Sequence, residues 1–153
     1  MTNQTLAANQ VELNRLLNRQ VANWAVLYIK IHQYHWFVKG AYFFQLHTKF
    51  EELYQEADRF LDELAERVLA LGGIPFSTMR EFMEAASIRE DSHDLSAERM
   101  VIQLTDDFRQ LLGELTETMA AAEDAHDEGT IDLLVDIRSK LEKHVWMLQS
   151  FVD

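Results

Sequence analysis

The chain contains no cysteine. That removes disulfides, thiolate metal sites, iron–sulfur clusters and cysteine nucleophiles together. It is compatible with a reducing, cytoplasmic compartment. One proline and 5 glycines stand among 153 residues, too few turn-formers for a β-sandwich. No run of about 18 apolar residues occurs, so no membrane-spanning helix is expected. The N-terminal "MTNQTLAANQ" lacks the basic, apolar and cleavable regions of a signal peptide, and none is expected. Basic residues are scarce: 14 Lys and Arg face 26 Asp and Glu, a formal net charge of -12. Such a chain repels phosphate backbones at long range, so DNA binding is not expected. An acidic surface suits solubility, or the attraction of cations.

What is present is apolar and helix-forming. Hydrophobic residues make up 48%, which excludes a disordered chain, and the length fits one domain over residues 1–153. Residues 8–38 read as one long helix, with Val11, Leu16, Leu17, Val21, Trp24, Tyr28, Ile31 and His35 along one side. A basic last turn and Gly40 end it. A second helix runs over 42–71 and stops at Gly72-Gly73 and Pro75. The short connection makes these two antiparallel neighbours. Residues 74–94 connect onward, and "STMREFMEAA" within them fits a short amphipathic helix with Met79, Phe82 and Met83 on one side. Further helices span 95–122 and 130–151, separated by "EDAHDEG". The expectation is an all-α, four-helix bundle whose long middle connection carries a short extra helix, the ferritin-like variant.

The chemistry concentrates on the second helix. His47, Glu51, Asp58, Asp62 and Glu66 drift by only about 100° around it, so one face carries a histidine and four carboxylates. A solvated acidic face is the competing explanation. Against it, His35 lies one turn before the Gly40 turn and His47 one turn after it, so the two imidazoles can meet. Imidazoles with Glu51 one turn away suit iron, zinc or manganese. His32 sits about 60° off that face and has no assigned partner. Asp62 and Glu66 cannot reach the same point within one chain, because fifteen residues of helix span roughly 22 Å. A two-fold axis would solve this, placing the His47 end of one helix beside the Asp62 end of another. The intrasubunit di-iron pattern needs Glu-x-x-His in mid-helix. Glu90-x-x-His93 falls in the connection and Glu123-x-x-His126 at a helix end, so that site is not expected. No phosphate loop, G-x-S-x-G elbow or H-E-x-x-H pair occurs. His144 reads as helix surface and core.

The segment "HQYHWFVKGAYFFQLHTKFEELYQEADRFLDELAERVLALGG", continued by "LEKHVWML", resembles the Dps-like mini-ferritins, the DNA-protection-during-starvation family. The likeness rests on His35-Trp36, Lys39-Gly40, His47 and the Asp62-x-x-Ala65-Glu66-Arg67 run, and it covers nearly the whole chain. It implies a hollow twelve-subunit shell, a dodecamer, that oxidises Fe(II) with hydrogen peroxide as favoured oxidant and stores ferric mineral. It implies di-iron ferroxidase centres between subunits, with His35, His47 and Glu51 from one and Asp62 and Glu66 from the other. Asp58 lies on the same stripe. Glu51 stands where many relatives have Asp. Trp36 is placed to supply or quench an electron, with Trp146 a fainter candidate; core packing is the expected role of both. Asp127, Asp132 and Asp136 fit an acidic pore for iron, or a helix N-terminus answering the macrodipole. Glu52 and Glu56 are candidates for a cavity-facing mineral surface. DNA-binding relatives often use a basic terminal tail, which this sequence lacks.

Overall fold

The computed structural model describes residues 1–153, with five helices and no strand. They are α1 (Asn3–Phe37), α2 (Phe43–Ala70), α3 (Met79–Ala85), α4 (Ala97–Asp124) and α5 (Glu128–Val152). The first helix begins earlier than its apolar pattern suggests. Thr2 caps it by accepting a hydrogen bond from the Thr5 amide. Val11, expected on the buried stripe, is instead 70% exposed, and burial starts at Leu13. The short helix α3 is capped at its start: Thr78 Oγ1 accepts from the Glu81 amide and donates to the Glu81 carboxylate, which also accepts from the Ser77 amide. Its Phe82 packs inward, but Met79 and Met83 are exposed.

One cluster of 28 buried hydrophobic residues fills the bundle. Trp24 of α1 sits in it, edge-on to Phe60 of α2 at 4.9 Å and tilted against Phe108 of α4 at 6.2 Å. Gly72 takes a positive φ of 78° at the end of α2. Gly73 approaches α1 so closely that a Cβ would meet Asn14 Nδ2 at 2.8 Å.

The long crossover is laid along α1 by polar side chains that the apolar periodicity does not mark. Asn18 donates to the Ile74 carbonyl and accepts from the Phe76 amide. Asn23 accepts from the Ser87 and Ile88 amides. Lys30 donates to the Arg89 carbonyl and Tyr34 to Asp91. The crossover therefore climbs α1 and delivers α4 antiparallel to it. The contacts Lys30–Asp107, Arg19–Glu117 and Asn9–Asp124 follow in descending order along α4. This is the connectivity expected of the ferritin-like bundle.

Candidate metal centre

Gly40, with φ of 106°, turns the chain between α1 and α2 and sets His35 against His47. Their rings stack with centroids 3.7 Å apart and planes inclined by 14°. His35 Nδ1 lies 2.7 Å from the His47 carbonyl, and His47 Nδ1 lies 2.8 Å from the His35 carbonyl. A carbonyl only accepts, so each Nδ1 carries a hydrogen, and the neutral form of each ring has its lone pair on Nε2. The His35 carbonyl belongs to the last turn of α1, where helical carbonyls lack partners; the His47 ring supplies one. An imidazole oriented by a backbone bond at one nitrogen is prepared to bind metal at the other. His35 is buried and His47 half-buried.

Glu51 lies one turn beyond His47, exposed, with Tyr54 OH donating to its Oε1 at 3.3 Å. Burial and then the Glu51 charge push the Tyr54 hydroxyl up, so it stays a donor. His32, unassigned from sequence, packs face-on against Tyr54 at 3.6 Å. Asp58, Asp62 and Glu66 follow along the same stripe, all exposed. No ion pair within the chain includes any of them. The unbroken helix keeps Asp62 about 22 Å and Glu66 about 28 Å from His47. No three metal-ligating side chains converge within one chain. Within one chain the histidine pair and the Asp62–Glu66 pair are separate groups at opposite ends of α2.

A profile of the ferritin-like domain matches residues 14–153. DNA protection during starvation protein 2 of Bacillus anthracis is 49% identical over 138 residues, covering 90% of this chain and 94% of its own length. The chain belongs to the Dps-like mini-ferritins. The crystal structure of a Dps protein from Bacillus brevis superposes on this mini-ferritin with a TM-score of 0.94, at 49% identity and 100% coverage of both chains. A Dps from Vibrio cholerae O1, described as a member of a broad superfamily of ferritin-like diiron-carboxylate proteins, gives 0.92 at 35% identity, covering 95% of this chain and 92% of its own.

Several residues of this mini-ferritin differ from their expected places. Trp36 is not core packing: it is 63% exposed. It helps line an apolar groove of about 450 Å³ with Ile29, Phe37, Met79 and Met83. Trp146 is likewise exposed. Glu52 is exposed and pairs with Lys49. Glu56 is not an open cavity carboxylate. Its side chain is mostly covered and receives His144 Nε2 at 2.5 Å. Burial works to raise the Glu56 carboxyl, but the His144 bond together with the charges of His144, Arg59 and Lys140 outweighs it and holds the group below its usual range. His144 thus ties α5 to α2.

Of the three candidate pore residues, Asp127 takes the helix-terminus role. It caps α5 by accepting from the Thr130 amide and pairs with Arg67 Nη2 at 2.6 Å. Burial opposes its charge, yet the Thr130 and Arg67 bonds hold the carboxyl below its usual range. Asp136 pairs with Lys140, and Asp132 is exposed. Arg67→Ala is therefore expected to lower stability by about 1.5 kcal/mol at neutral pH, one charge-assisted hydrogen bond. A carboxyl with a depressed folded pKa stabilises above the unfolded value and loses that contribution as pH falls. The gap between wild type and variant in thermal unfolding should close below about pH 4.

Proposed function

We propose that this mini-ferritin oxidises Fe(II), preferentially with hydrogen peroxide, and stores the ferric product inside a hollow homo-oligomeric shell, a dodecamer. The reciprocal His35–His47 pair carries this reading, because it leaves two oriented Nε2 ligands with no partner in the chain. In this reading a ferroxidase centre combines His35, His47 and Glu51 of one subunit with carboxylates equivalent to Asp62 and Glu66 of a two-fold neighbour. Asp58 extends the acidic margin. Imidazole and carboxylate are suitable ligands for iron. Two Fe(II) ions give one electron each; peroxide with two protons becomes two waters. Supplying both electrons together avoids release of hydroxyl radical. Trp36, whose ring lies 5.3 Å from that of His32, is the residue proposed to donate or quench an electron.

Two features support assembly. The unpaired acidic stripe on α2 is costly on a chain already at -12 unless cations or a partner neutralise it. The exposed groove around Trp36 would be covered by a second subunit. The relatives' names speak of DNA protection. With this charge, protection is best achieved by removing iron and peroxide rather than by coating DNA. No helix is long and apolar enough to cross a membrane, and the proposed site of action is the cytoplasm. The test is a His47→Ala, Asp62→Ala double variant. Peroxide-driven Fe(II) oxidation, followed by ferric absorbance, should fall about 100-fold, some 2.7 kcal/mol of lost activation. Rapid oxidation retained by a correctly assembled variant would sink the site assignment.

A further inference from the structure

We propose that Tyr54 is a positioning residue for the His35–His47–Glu51 cluster, an inference that rests on reading that cluster as a metal half-site. Tyr54 touches both ligand types. Its hydroxyl donates to Glu51 Oε1 at 3.3 Å, and the edge of its ring meets the His35 ring at 5.3 Å with planes at 81°. The tyrosine itself has little freedom. His32 stacks on its face at 3.6 Å and 23°, and Tyr28 meets it edge-on at 6.1 Å. His32 is held in turn, since its Nδ1 lies 2.7 Å from the Tyr28 carbonyl.

This clamp answers a problem specific to Glu51. Its carboxylate sits on a flexible two-methylene arm at the surface of α2, three residues from Tyr54 and on the same side of the helix. Unrestrained, it would sample several rotamers and lose that freedom on binding a cation. The phenol proton holds Oε1 and leaves Oε2 for the metal. The same ring bears on His35, so the carboxylate and imidazole are set relative to one rigid body. His32 and Tyr28 form its backing.

The test uses the assembled full-length protein with Co(II), a redox-silent probe whose visible absorption reports coordination geometry. Tyr54→Phe removes one oxygen and keeps the ring packing. Co(II) affinity by calorimetry should fall about tenfold, the low end for losing a hydrogen-bond partner of a ligand. The visible band should change, while shell size and helix content stay the same. In a Glu51→Gln background, Tyr54→Phe should add no further loss. Unchanged Co(II) binding by Tyr54→Phe, or a loss of equal size in the Glu51→Gln background, would overturn the role. If Glu51→Gln and His47→Ala themselves bind Co(II) like wild type, the half-site reading fails and the proposal with it.

Discussion

Chains lacking His35 and His47, mixed with chains lacking Asp62 and Glu66, should recover an iron-oxidising activity that neither has alone. The reason is the distance along α2. Its 28 residues run without a break, so about 22 Å separates the imidazole end from the carboxylate end. If both ends serve one centre, the second must come from another chain. An isologous pair then holds two equivalent centres. In a mixed pair, one centre receives both damaged halves and the other receives both intact halves. Random association of equal amounts makes half the pairs mixed, so about a quarter of all centres are restored. Each parent should oxidise Fe(II) about 100-fold more slowly than wild type. The co-refolded mixture should return about a quarter of the wild-type initial rate. Mixed assemblies verified by mass spectrometry that stay at the parents' rate would show that the two ends do not share a centre.

Lys30→Met should destabilise the bundle by about 3–5 kcal/mol. Lys30 Nζ lies 2.6 Å from Asp107 Oδ2, with side chains only 3% and 7% exposed. Gln103 donates to the other carboxylate oxygen, and Lys30 also donates to the Arg89 carbonyl. Burial raises the Asp107 carboxyl even though Lys30 opposes the rise. Removing the lysine leaves a buried carboxylate with one neutral donor. The pH dependence has a definite sign. An acid whose folded pKa lies above its unfolded value costs stability where it is ionised and recovers it when protonated. The deficit of Lys30→Met, read from thermal unfolding, should therefore shrink as pH is lowered from neutral. Lys30→Met with Asp107→Leu should regain most of the loss, because two apolar groups leave no charge stranded. A deficit that is flat with pH would mean that Asp107 is not the group responsible.

The helices were legible because their apolar positions recur at helical spacing, and the first two end at Gly40 and at Gly72-Gly73. The His35–His47 meeting was legible for a similar reason: a short turn forces two helix ends to the same height. Other features are invisible to periodicity. Asn18, Asn23 and Lys30 look like interruptions of a buried face, yet they hold the crossover by its backbone. Tyr54 reads as one more member of an acidic stripe until its ring is seen beside His32. Trp36 was expected in the core because aromatic residues usually bury area. It points outward because its neighbours on that side, Ile29 and Phe37, are exposed too. Asp127 matches a pore pattern in spacing, but a cap and Arg67 claim its oxygens.

The two imidazoles borrow their orientation from each other's main chain. Each ring is set by a carbonyl from the opposite side of the same hairpin, and no other subunit takes part. If the pair serves the proposed centre, a newly folded chain arrives at its partner with these imidazoles already aimed. Their rotamer entropy is spent during folding, not at association. On the proposed reading, assembly needs only to bring carboxylates to a finished edge, and the order of events is fold first, then pair, then load metal.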